Sequence, residues 1–273
     1  DLSLSIVLVS VTVNSAIFTF IKNYRMIILS ILFLITAILY SSVGFGGGST
    51  YLALLLIWEI PYYIFPVIAL LCNIIVVSGN SINYIRAGNY NFKLLLPFLV
   101  GSIPFAFFGG TLKIEKDVFE VLLFVVLLIA GLLLLSNNKS YKNNDLHIKK
   151  LNSLISFIIG SVIGLISGIV GIGGGIFLSP ILFLLQAEKP RIIATTASLF
   201  ILINSISGVI GQFSKENVIN NLISYWPLFL TVLMGGFIGN YISLKIFSNR
   251  TLTIMTSLLV IFVAIRMGLR IFV

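Results

Sequence analysis

Along this chain the polar residues fall in short breaks between long apolar runs, and the run lengths predict membrane helices. A helix needs about 20 predominantly apolar residues to cross a bilayer core. Runs of that kind occupy residues 2–21, 26–58, 62–85, 92–112 and 118–136, then 151–186, 191–213, 222–247 and 252–273. The stretch between them, 137–150, is the one segment that reads as a soluble loop. The pattern predicts an all-α polytopic membrane protein. Two of the runs are too long for a single upright crossing. Residues 26–58 would make a helix of about 50 Å at 1.5 Å per residue, against a hydrocarbon core of ~30 Å.

Both over-long runs contain the same glycine motif. Gly44-Phe45-Gly46-Gly47-Gly48 lies in the first and Gly171-Ile172-Gly173-Gly174-Gly175 in the second, 127 positions later (171 − 44). Each glycine costs a helix roughly 1 kcal/mol relative to alanine, so both runs are expected to break there. A break leaves backbone groups that lipid cannot satisfy, and it persists only where it is buried in protein or lines a cavity. In carriers, that is where substrate binds.

Other landmarks also recur. Pro97 matches Pro227 and Gly109 matches Gly239 at an offset of 130 (227 − 97, 239 − 109), and Asn73 matches Asn204 at 131 (204 − 73). The expected organisation is an N-terminal helix at 1–25, a repeat at 26–136, a cytoplasmic linker at 137–150 and a second repeat at 151–273. Each repeat has four segments, one of them glycine-broken. Two arrangements fit. A tilted, broken crossing in each half gives nine crossings and parallel repeats; a re-entrant hairpin gives seven and inverted repeats. The basic residues divide almost equally under either arrangement and do not separate them.

Composition agrees with the pattern. Hydrophobic residues make up 59 % of the chain and charged residues 9 %, where a soluble domain carries about 25 % charged; the mean hydropathy is +1.15. The formal net charge of +9 reads as topology, because lysine and arginine collect in cytoplasmic loops. Lys139, Lys142, Lys149 and Lys150 therefore place the linker in the cytoplasm. Basic residues scattered between apolar runs do not form a nucleic-acid-binding face. Residues 2–21 lack a basic leader region and a small-residue cleavage site, so a retained helix is expected there. The single cysteine, Cys72, and the single histidine, His147 in the linker, exclude a disulfide and the usual metal sites and nucleophile–base pairs. No enzyme activity, cofactor or metal is expected.

The candidate chemistry lies at the glycine motifs. Each is followed by a new helical stretch, and a helix N-terminus offers unpaired N–H groups and about half a positive charge. Without a Cβ, glycine lets a ligand approach the backbone closely. Gly46, Gly47, Gly48 and Gly173, Gly174, Gly175 are thus candidate backbone donors to one oxyanion. Ser49, Thr50, Asn73 and Asn204 are candidate side-chain donors that avoid the cost of burying a charge. The alternative, that these small and polar residues serve helix packing alone, stays open at this stage. Glu59, Glu115, Asp117, Glu120, Glu188 and Glu216 all sit at run ends or in loops. No carboxylate of the kind that proton-coupled carriers hold within the membrane is visible. The driving force is expected to be the anion gradient or the membrane potential, about 2.3 kcal/mol per charge per 100 mV. Uptake into vesicles driven only by an acid-outside gradient would contradict that expectation.

With these residues in view, the chain resembles the sulfite exporter TauE/SafE family over nearly all of residues 26–273. The resemblance rests on the two glycine motifs, on Leu71-Cys72-Asn73 with Tyr84-Ile85-Arg86-Ala87-Gly88, and on the run from Leu96-Pro97 through Ser102-Ile103-Pro104 to Gly109-Gly110. Thr196-Ala197-Ser198-Leu199-Phe200 followed by Asn204-Ser205 belongs to the same pattern. It implies transport of a small anion, sulfite or an organosulfonate first among them, across the bacterial inner membrane by alternating access. The implied partners are that anion and the lipid bilayer, with a homodimer open. The family pattern has proline soon after each glycine motif. Pro180 supplies it in the second half, whereas Ala53 stands near that place in the first, so the half-sites are expected to differ in shape.

Overall fold

The computed structural model describes residues 24–42, 44–136, 151–215 and 218–243 together with positions 258, 261, 265, 268 and 269. The runs expected at 2–21 and 252–273, and the linker at 137–150, lie outside the described residues or almost wholly so. Among the described residues there are only helices and their connections. These are α1 (Tyr24–Ser42), α2 (Gly48–Ile57), α3 (Phe65–Arg86), α4 (Phe92–Thr111), α5 (Lys116–Ser136), α6 (Ser153–Val170), α7 (Gly175–Leu184), α8 (Pro190–Phe213), α9 (Val218–Leu222) and α10 (Trp226–Ser243). Among the described residues, six helical segments are long and apolar enough to cross a membrane. Their outward faces are apolar too: Phe237, Trp226, Leu96 and Phe108 are all exposed, as a lipid-facing surface requires. Asn91 and Asn152 cap α4 and α6 by accepting from the Leu94 and Leu154 amides, at 3.2 and 2.9 Å. Those bonds satisfy N–H groups that a helix start leaves orphaned.

Helix directions follow from side-chain and backbone contacts. The Trp58 indole Nε1 donates to the Arg25 carbonyl at 3.0 Å, and the Arg25 guanidinium donates to the Trp58 carbonyl at 3.3 Å. The end of α2 is therefore pinned beside the start of α1. Phe33 and Tyr51 stack between the two helices, ring centroids 4.7 Å apart. The first over-long run is thus a hairpin, in which α1 crosses and α2 returns. It is not a single tilted crossing. Call the end where α1 and α3 begin the near end, and the end where α4 begins the far end.

In α6, Gly160, Gly164 and Gly168 meet the backbone of Phe98, Ser102 and Ala106 of α4 in the same order, so these helices run parallel. In α10, Gly235 and Gly239 meet the Leu34 and Ile38 carbonyls of α1 in the same sense. The sequence-matched glycines make matching contacts, Gly109 of α4 on α6 and Gly239 of α10 on α1. Between them α3 and α8 cross antiparallel, with Leu70 beside Gly208 and the Ser81 and Ser198 hydroxyls 3.1 Å apart. Glu188, just after α7, accepts from Asn91 at the start of α4 at 2.9 Å. α7 therefore returns to the far end, where α6 began.

Small residues bring these backbones together, as is usual where no hydrophobic force acts between helices. The contacts predict a sharp difference between neighbouring glycines of α10. A Cβ at Gly236 would meet nothing closer than the Val76 Cα at 3.6 Å, whereas one at Gly239 would lie 2.9 Å from the Ile38 Cα and nearer still to its carbonyl oxygen. Gly236→Ala should be neutral or stabilising by up to about 1 kcal/mol from helix propensity. Gly239→Ala should cost about 1–3 kcal/mol by overpacking. Melting temperatures of the two purified variants check this.

Candidate functional site

The glycine motifs end α1 and α6 in left-handed backbone. Gly44 and Gly47 have φ of 85° and 86°, and Gly171, Gly173 and Gly174 have 91°, 84° and 80°. Side chains with a Cβ adopt that region only at a cost, which is why glycine stands at these positions. Past each turn the chain folds back toward the middle of the bundle. α2 and α7 then start there, each 10 residues long. Pro180 lies inside α7 and a buried Ala53 inside α2. The missing proline therefore leaves the length of the first half-helix unchanged.

The two motifs arrive from opposite ends and meet at Asn73 on α3. The Asn73 amide donates to the Ile172 carbonyl at 3.0 Å, a bond that joins one half of the chain to the break in the other. A Cβ at Gly48 would be 2.7 Å from the same amide nitrogen and 2.8 Å from the Ile172 oxygen, and one at Gly173 would be 2.8 Å from that nitrogen. Gly46 packs on the other side of the amide, against its oxygen. Asn204 on α8 stands over the second break, its amide 3.5 Å from the Gly173 carbonyl. Gly174 faces Asn204, and Gly175 packs on Ile201 and Ala197. All ten sequence-predicted residues are buried, and both asparagines are fully so.

Donors and acceptors at this centre are unevenly satisfied. The first helical bonds of α2 are Thr50 and Tyr51 N–H to the Gly47 carbonyl, both 3.0 Å. In α7, Phe177 and Leu178 N–H reach the Gly174 carbonyl at 3.1 and 3.2 Å. The amides of Gly48, Ser49, Gly175 and Ile176 precede those bonds, at the helix starts where an N–H has no intrahelical partner. The side-chain oxygens of Asn73 and Asn204 and the hydroxyl of Ser205 are buried with no hydrogen-bond partner among the described residues. Buried groups of this kind are rare and call for an explanation. The Thr50 hydroxyl, by contrast, is engaged with the Tyr40 hydroxyl at 2.7 Å, and the Ser49 hydroxyl lies 3.5 Å from it. Sequence reasoning missed Tyr40. Its only signal was a phenol four positions before Gly44 in an otherwise apolar stretch. A cavity of about 10 Å³ lies among Tyr40, Gly46, Gly48, Ile172 and Ile201, room for about one water. The centre is closed in this conformation.

Most carboxylates keep to helix ends, as expected. Glu120 is the exception in burial: one turn into α5, its side chain is 12 % exposed and lies 3.9 Å from the Lys116 ammonium. His147 and Glu216 are outside the described residues.

Broken helices meeting inside a bundle of membrane-spanning helices define a multi-pass membrane transporter. The profile of the sulfite exporter TauE/SafE family matches residues 28–267, and the chain belongs to that family. It is 26 % identical to the probable membrane transporter protein y4hK of Sinorhizobium fredii, over 85 % of this chain and 93 % of that one. It is 31 % identical to the probable membrane transporter protein MJ0441 of Methanocaldococcus jannaschii, over 73 % of this chain and 77 % of that one. The probable membrane transporter protein YunE of Bacillus subtilis is 24 % identical over 86 % and 94 %. No solved structure matches the chain.

Proposed function

We propose that this transporter moves a small anion of the sulfite or organosulfonate class across the inner membrane by alternating access. The observation that carries the reading is the convergence of both glycine breaks on Asn73. Two helix N-termini, contributed by the two halves, begin at one buried place. Anions are stabilised there by the helix dipoles and by backbone N–H groups without a buried charge on the protein. The unpartnered oxygens of Asn73 and Asn204 add acceptors, so the best fit is an oxyanion that also carries a proton donor. Hydrogensulfite and an amino-sulfonate such as taurine have both.

The helix directions support two inverted repeats, 26–136 and 151–273. α1 pairs with α10 as α6 pairs with α4, and α3 opposes α8. Inverted repeats rocking about a central site are the usual architecture of alternating access. With the cavity at about 10 Å³, an anion enters only if the contact of Gly48 with Ile172 opens. That contact is the moving part of the proposed cycle.

Thermal stability of the purified protein against sulfite, sulfate, thiosulfate, taurine, sulfoacetate and chloride tests the reading. A ligand that binds only the folded state stabilises it by about 2.7 kcal/mol at 100 times its Kd, roughly 5–10 °C for a chain of this size. Stabilisation is expected with sulfite or a sulfonate, and it should be lost in Gly48→Ala, which forces the two breaks apart. No shift with any anion well above millimolar would move the reading to a carrier of another solute or to a non-transporting scaffold.

A further inference from the structure

A second cavity lies at the near end, away from the glycine breaks. It is a cavity of about 350 Å³ walled by Tyr62, Tyr63, Lys113, Phe119 and Lys215, with Pro66 and Ile169 at its floor. That volume suits a small solute. The floor residues are tied to the second break, since Pro66 packs directly on Gly171 and Ile169 is the penultimate residue of the helix before it. Lys215 is also anchored there: its ammonium donates to the Gln212 side-chain oxygen at 2.9 Å, and Gln212 donates to the Gly168 carbonyl at 2.7 Å. Two cations thus share one recess, and among the described residues that line it there is no carboxylate.

We propose that this recess is a vestibular binding site for a small oxyanion, held between the Lys113 and Lys215 ammonium groups before transfer to, or after release from, the central site. The proposal takes its ligand class from the anion-transport reading. Its physical ground is independent: two like charges with no carboxylate among the described lining residues repel, and an anion between them relieves that repulsion. Burial and the neighbouring Lys113 charge lower the Lys215 ammonium from an ordinary lysine value of 10.5 to about 8. Among the described residues that line the recess, the other titratable groups are Lys113 and the phenols of Tyr62 and Tyr63, while α5, α6 and α9 present the apolar Phe119, Ile169 and Val218; Glu216, next to Lys215 in sequence, lies outside the described residues. Below about pH 8 the Lys215 ammonium is charged; as pH rises through that value it loses its proton and its hold on an anion.

The test uses sulfate and methanesulfonate, whose own charge does not change near this pH. Reductive methylation with carbon-13 formaldehyde places an NMR reporter on each lysine, and Lys215→Arg assigns the Lys215 signal. Saturable shifts of the Lys113 and Lys215 signals with either anion are expected at pH 7, and the Lys215 response should disappear as pH rises through 8. In vesicles, Lys215→Gln should raise the half-saturating concentration about fivefold, what one partly screened charge contact is worth, with the maximal rate unchanged. Lys215→Arg should keep the low value and remove the alkaline loss. Unsaturable or absent NMR shifts overturn the vestibule whether or not the vesicles transport. Saturable shifts in a protein that transports neither these anions nor sulfite would leave the vestibule standing and overturn the transport reading.

Discussion

Replacing Gly168 with leucine is expected to abolish recovery of folded, monodisperse protein. Gly168 is the last of three glycines, four positions apart, through which α6 lies directly on α4. A Cβ there would sit 2.9 Å from the Ala106 carbonyl carbon and from the Gly110 nitrogen, and closer still to the Ala106 oxygen. Everything it meets is backbone, so no side chain can swing away. Alanine alone should cost about 1–3 kcal/mol by overpacking, and leucine must separate the helices by most of a side chain. That separation also breaks the 2.7 Å bond from Gln212 to the Gly168 carbonyl and shifts the second glycine break, which follows within one turn. Size-exclusion profiles and melting curves of Gly168→Ala and Gly168→Leu check the expected order: a lowered melting point, then no folded species. A Gly168→Leu variant with a wild-type profile would mean that the α4–α6 contact does not hold the bundle together.

Much of this architecture is legible in the sequence, for a definite reason. A membrane helix must satisfy all its backbone groups internally, so run length and glycine content carry nearly the whole signal. They located both breaks, and the recurrence of Asn73 and Asn204 singled out the side chains that the structure places at the breaks. The hairpin was not legible. A run at 26–58 fits a tilted crossing or a hairpin equally well by length, and the choice is made by a Trp58–Arg25 contact spanning 33 positions. Nor was the bond from Asn73 to Ile172, 99 positions apart, because no periodicity encodes which half's amide reaches which half's break. Ser49 and Thr50 read as free hydroxyls; Tyr40 engages them, and a tyrosine inside an apolar run reads only as core. Lys113 and Lys215 become neighbours because α4 and α8 end at the same end of the bundle, a fact of topology that no local pattern records.

The direction of the helices also bears on how the centre opens. α1 with α10, and α6 with α4, form two tightly packed pairs whose backbones touch at glycine. The contacts across the centre are mixed: one amide bond and a pair of serine hydroxyls, with backbone approaches of Gly48 to Ile172 and of Gly171 to Pro66. Close-packed pairs move as units, and weak polar contacts between them exchange at low cost. In the proposed cycle the two pairs would move as units about the seam that runs through the glycine breaks.

Asn73→Asp is the substitution expected to silence transport while leaving the fold largely intact. The asparagine amide is the donor that bridges the breaks, giving its hydrogen to the Ile172 carbonyl at 3.0 Å while its oxygen lies against Gly46. Aspartate has nearly the same shape, so overpacking is not the issue. Its carboxylate cannot donate, faces the Ile172 carbonyl with like partial charge, and sets a negative charge beside helix ends that would otherwise attract an anion. Losing the bond and leaving the carbonyl unpaired costs about 1–3 kcal/mol, before any repulsion of the substrate. A combined loss near 3 kcal/mol corresponds to roughly 100-fold in transport at subsaturating anion. Asn204→Asp should do less, about 10-fold, because its amide lies 3.5 Å from the Gly173 carbonyl and bridges nothing. Initial rates of labelled sulfite uptake into proteoliposomes, normalised to folded protein, give the ranking. Equal losses at the two positions would mean that the halves contribute alike and that the bridge is not special. A wild-type rate in Asn73→Asp would show that the amide only packs the two breaks together and that the anion passes elsewhere.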